Sequence, residues 1–103
     1  MQNKKVIEGA EQELDAKVWY NRHQILKQRI SDHTMWLVEE DTGLPNTTPK
    51  DIWEGALRAA TKVEETYGIE NLGPHSDFEW GMLNGKLSAL RWVMGEDWDS
   101  LDT

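Results

Sequence analysis

Residues 76–95, S-D-F-E-W-G-M-L-N-G-K-L-S-A-L-R-W-V-M-G, read as a helix with both ends written in. Ser76 is a good N-cap, and Glu79 three positions on completes a capping box. Gly95 falls where a left-handed C-terminal residue belongs. At about 100° per residue the apolar side chains divide between two faces. Trp80, Leu83, Leu87, Leu90 and Met94 line one side; Phe78, Met82, Ala89, Trp92 and Val93 line nearly the opposite side, with Gly81 and Gly85 beside them. Glu79 and Lys86 part the faces along one edge, and Asn84, Ser88 and Arg91 along the other. A helix apolar on two sides has to be covered on two sides. In so short a chain it is either the central helix of the fold or a helix shared with a second subunit. Trp80, Met82, Leu83, Leu87, Leu90, Trp92 and Met94 are therefore the interface candidates, and a homo-oligomer is expected.

The chain has 103 residues, one domain near the lower end of the sizes that bury a self-sufficient core. Six Trp must supply much of that burial. The absence of Cys excludes disulfides and thiolate metal sites. Residues 1–8 are polar, unlike a signal peptide, and no apolar run approaches membrane-spanning length. The sequence thus points to a soluble, cytoplasmic protein without a membrane partner. The net charge of -8 is unevenly placed. Residues 1–63 hold ten acids against nine bases, whereas residues 64–103 hold nine acids against only Lys86 and Arg91. Such a C-terminal part repels nucleic acid and would attract a basic protein partner. The same acidity also keeps a Trp-rich chain in solution.

Away from residues 76–95, a helical pattern runs over about 6–40, with no Pro inside it and a break predicted near 31–32, where Asp32 can cap a second segment. Arg22, Arg29 and His33 fall on one line inside its apolar arc. Residues 34–39, T-M-W-L-V-E, have fair β-propensity, but no second strand presents itself, and helix is the reading adopted. Residues 41–48 form a loop by their Gly, Pro and Asn content. Thr48 and Pro49 then open a helix over 49–67, the hydroxyl as N-cap and Pro at the first helical position. Gly68 ends it, and residues 69–75 connect to the helix over 77–94. Residues 96–103 form an acidic tail anchored by Trp98 and Leu101. Small residues recur every four positions at Gly81, Gly85 and Ala89, and again at Gly55 and Ala59 or Ala56 and Ala60. Such rows let helix backbones approach, so the 49–67 and 77–94 helices are expected to be direct neighbours. The fold class is all-α: a three- or four-helix bundle with a central two-faced C-terminal helix.

No constellation assembles into an active site. Residues 81–88, G-M-L-N-G-K-L-S, have the wrong spacing for a phosphate loop, and no strand precedes them. Arg22, Arg29 and His33 are candidates for receiving a carboxylate or phosphate, against the alternative that long side chains snorkel between packing faces. His23 and His33 are ten residues apart and His75 lies in a loop, so no metal site is assigned. Carboxylates at Glu8 and Glu11, with Glu96 and Asp99, echo the E-x-x-E and E-x-x-D spacing of all-α nucleotide pyrophosphohydrolases, which hold Mg²⁺. The second pair sits in the tail rather than in a helix. Asp97, Asp99 and Asp102 lack the Gly turn and closing Glu of a calcium loop. No cofactor is expected.

Residues 77–103, D-F-E-W-G-M-L-N-G-K-L-S-A-L-R-W-V-M-G-E-D-W-D-S-L-D-T, resemble the C-terminal signature of small uncharacterised proteins of bacterial, phage and environmental genomes. The resemblance implies a compact unit of mobile or accessory gene content, and no catalytic residue. The expectation is a non-catalytic helical binding or interaction protein that self-associates. The alternatives are an acidic inhibitor of the immunity-protein kind and, more remotely, a pyrophosphohydrolase-like enzyme.

Overall fold

Asn3 starts the first helix by accepting from the Val6 amide at 3.0 Å, and the next 28 residues, free of Pro, form α1 (Lys4–Ser31). The structure, a computed structural model, describes residues 1–98. Helix α1 stops because His33 adopts φ 61°. The His33 amide then donates to Ile30 O and the Thr34 amide to Arg29 O, closing the helix end in a Schellman motif. The helix expected over 6–40 therefore ends at its predicted break and does not resume.

Past this turn the backbone is extended. β1 (Trp36–Val38) pairs in parallel with β2 (Thr47–Pro49), with Trp36 opposite Thr47, Leu37 opposite Thr48 and Val38 opposite Pro49. This corrects the helical reading of residues 34–39; the protein is mostly helical, as expected, with one small sheet added. Parallel strands ordinarily need a crossover of a dozen residues or more. Here only residues 39–46 intervene, and the ladder is correspondingly three residues long. Side chains hold the connection in place. Arg29 Nη2 donates to Asn46 Oδ1 at 2.7 Å and to Thr34 O at 3.2 Å, while Lys50 Nζ reaches Glu39 Oε1 at 2.6 Å.

The second helix, α2 (Lys50–Tyr67), has Pro49 at its N-cap without a side-chain cap. Thr48, expected as the cap, lies in β2 and turns its hydroxyl to Met35 Sδ at 3.4 Å instead. Gly68 ends α2 at φ 81°, and a short 3₁₀ turn over Ile69–Asn71 leads into α3 (Asp77–Val93). Both ends of α3 agree with the sequence reading. Ser76 Oγ accepts from the Glu79 amide at 3.1 Å, Glu79 Oε2 accepts from the His75 amide at 2.7 Å, and Gly95 adopts φ 108°.

The central helix is α1, not α3. It packs against both other helices, most extensively against α3, and no comparable contact joins α2 to α3 among the described residues. Among the described residues the two small-residue rows are thus not neighbours: a Cβ on Gly81 or Gly85 would meet none of them within 4 Å. The core is a thin seam along α1. Val18 and Leu87 are fully withdrawn from water, and Tyr20, His23, Met35 and Ala60 nearly so.

Candidate functional site

The two faces of α3 have separate fates. Leu87 is fully buried, Trp80, Leu83 and Leu90 on its side are half-buried, and together they meet α1. Arg91 secures this contact, donating to Asp15 Oδ1 at 2.7 Å with Glu11 Oε1 at 3.7 Å. The opposite face is open to water. Phe78 is 76% exposed, Met82 46%, Trp92 51% and Val93 55%, around the exposed Gly81, Gly85 and Ala89. Trp98 meets Trp92 edge to face at 4.9 Å between ring centres and extends this surface past the helix end. Met94 is also exposed and lines a hollow of about 560 Å³ against Ile7 and Glu8 at the start of α1. Of the seven interface candidates, then, Trp80, Leu83, Leu87 and Leu90 are used inside the chain, while Met82, Trp92 and Met94 remain outside. Phe78 belongs with the latter, and its place on the helical wheel beside Gly85 already marks it.

A second cluster lies between α1 and α2. The buried His23 ring is stacked between two indoles, 5.1 Å from Trp19 and 4.9 Å from Trp53. Tyr20 beside it donates its hydroxyl to Glu64 Oε2 at 2.5 Å. Burial, with the bond to Glu64 and its charge, pushes the Tyr20 phenol up to about 12. Burial also lowers the His23 pKa, the neighbouring Lys27 adding to the effect and Glu64 opposing it. His23 is therefore a neutral, packed ring at pH 7. Trp19, Trp53 and His23 were legible singly; their stacking depends on how α2 docks, which helical periodicity alone does not give.

Arg22, Arg29 and His33 have different surroundings. Arg22 borders the groove between α1 and α2 beside Trp19 and Ile52. Arg29 is committed to Asn46 and Thr34. His33 lies past the end of α1 in the Schellman turn. No group of three or more His, Asp or Glu placed to hold a metal ion occurs among the described residues. Asp99, Leu101 and Asp102, on which the tail anchor, the calcium loop and the E-x-x-D pair depend, lie outside those residues. No helix among the described residues is long and apolar enough to cross a membrane.

No family model, no curated protein and no solved structure matches this chain.

Proposed function

We propose that this protein is a non-catalytic helical binding module that self-associates through the outer face of α3. One observation carries the reading: α3 presents Phe78, Met82, Trp92 and Val93 to water on the side opposite the buried Leu87. A contiguous apolar face of this kind marks an interaction surface rather than ordinary surface scatter. The distribution of polar groups supports a binding role, since the buried ring cluster is an internally satisfied packing unit rather than a set of reactive groups. Sedimentation at micromolar concentration is expected to show a dimer or larger species. Met82→Glu is expected to give a folded monomer, because it charges the outer face alone, whereas Leu87→Glu unfolds the chain by burying an unpaired carboxylate. A wild-type protein that sediments as a monomer would overturn the self-association.

A second reading, an acidic inhibitor of a basic protein, has its own support. Of the two bases in residues 64–103, Arg91 is neutralised by Asp15 and Glu11 of α1, while Glu65, Glu70, Asp77, Glu79, Glu96 and Asp97 are all exposed. Binding of this kind would weaken steeply with salt. Association through the apolar face of α3 would not.

A further inference from the structure

The self-association proposed above leaves open how two copies meet, and the outer face of α3 constrains the answer. We infer that a second copy of this chain lies antiparallel on α3, with Gly85 at the two-fold axis and Phe78 of each copy against Trp92 of the other.

Area supplies the first argument. The chain exposes 7564 Å² at a mass of 11.9 kDa. A folded monomer of that mass is expected to expose about 5,900 Å². The excess, about 1,600 Å², is twice the roughly 800 Å² that each partner contributes to a standard interface. The chain as a whole thus leaves more surface uncovered than one side of a standard dimer interface takes up. The uncovered apolar groups on α3 form one continuous face; Trp19 and Ile52 border the α1–α2 groove, and Val6, Ile25, Trp36, Leu44, Leu57 and Ile69 are spread over other parts of the chain.

Symmetry supplies the second. A closed dimer uses the same patch on both copies, so the patch has to be complementary to itself. Counted outward from Gly85, the small residues and the rings are matched in both directions, Gly81 and Ala89 four positions away and Phe78 and Trp92 seven away, while Met82 three before answers to Ser88 three after. Large rings flank a dip of small residues, and the dip is open, since nothing among the described residues approaches within 4 Å of a Cβ at Gly81 or Gly85. Antiparallel pairing sets one phenyl against one indole at each end, so the two ends have equal thickness and the helix axes close evenly over the dip. Parallel pairing would stack indole on indole at one end and phenyl on phenyl at the other, splaying the helices. It would also bring together two acidic first turns, each with Asp77 and Glu79, and align the helix dipoles.

The test is disulfide cross-linking in a chain that has no Cys of its own. Under mild oxidation Gly85→Cys is expected to link to itself nearly completely. Gly81→Cys and Ala89→Cys are each expected to stay unlinked alone and to link when mixed. In the antiparallel register two copies of residue 81 stand about 12 Å apart along the helix axes, eight residues at 1.5 Å each, beyond the roughly 7 Å Cα separation a disulfide tolerates. The substitutions at 81, 85 and 89 are small, keep every ring of the face, and point away from α1, so the fold is retained, as circular dichroism would verify. Self-linking of Gly81→Cys and of Ala89→Cys would establish a parallel pair and overturn the antiparallel one. A dimer in sedimentation with no cross-link at any of the three positions would overturn the α3 face while leaving self-association intact. A monomer in sedimentation would overturn both.

Discussion

Two residues end helices in the same way, and only one announces it. Gly95 and His33 each occupy the left-handed position of a Schellman motif, at φ 108° and 61°. Glycine there is a readable stop because it lacks the Cβ that opposes positive φ. Histidine carries no such signal, so the end of α1 was legible only as a weakness near Asp32. The surroundings of His23 were not legible for another reason: a His in a helical pattern looks alike whether it is solvated, ligating or stacked. Its environment has a measurable consequence. The groups facing it are Trp19, Tyr20 and Lys27 from α1 and Trp53 and Glu64 from α2. Because its folded pKa is lowered, the unfolded chain binds more protons as pH falls below the ordinary value near 6.5. The stability contributed by neutral His23 is therefore complete above about pH 7 and is lost as pH falls through that window. Thermal melts at pH 7.5 and 5.5 are expected to show a larger drop for the wild type than for His23→Phe, which keeps a stacked ring but does not titrate. Equal drops would contradict this.

At the level of elements, both ends of α3 and the split of its apolar side chains were legible, because capping and periodicity are local signals; Met94, grouped with Leu87, instead lies past the helix end and is exposed. The neighbours of α3 were not legible. The small-residue rows suggested that α2 and α3 meet, yet α1 lies between their contacts, and the row on α3 faces outward. β1 and β2 were missed as a pair because three residues on either side of a short connection leave no periodicity to detect. Thr48 illustrates the ambiguity: its hydroxyl suits a helix cap, but the ladder with Leu37 claims its backbone. The outward row yields an expectation for Gly85→Leu. Inside one chain this change meets open space and gains helix propensity of about 1 kcal/mol over glycine. Dilute, monomeric protein should therefore melt higher than wild type, while on the antiparallel pairing proposed above any dimer should be weakened, because Leu would fill the dip at the proposed axis. A variant that is destabilised when dilute and unchanged in association would show that Gly85 has the opposite role.

The molecule as a whole is long and thinly packed. It measures 48 × 30 × 25 Å with a radius of gyration of 15.7 Å, against about 13 Å for a compact domain of this length. Composition foretold the small core but not its shape, because the six Trp are spread over different roles. Trp19 and Trp53 sandwich His23, Trp80 lies on the α1 side of α3, and Trp36, Trp92 and Trp98 are exposed. Counting Trp19 at the outer edge of its stack, four of the six indoles stay open to water in a single copy.

The Arg91 clamp onto Asp15 bears on the order in which the chain assembles. Its two residues are 76 positions apart, whereas His23 and Trp53, which join α1 to α2, are 30 apart. Closing the longer loop first would cost about 0.8 kcal/mol more in chain entropy. On loop closure alone the α1–α2 pair is expected to be the early encounter, with α3 docking on α1 late, after the rate-limiting step. Arg91→Ala should then speed unfolding severalfold and leave the refolding rate almost unchanged in stopped-flow measurements. A refolding rate that falls in proportion to the lost stability would instead place α3 in the folding nucleus. On the expected order, the last helix to arrive is also the one that carries the outer apolar face. Newly made chains would then display that face only once the rest of the fold is in place, which shortens the time in which it can capture the wrong surface.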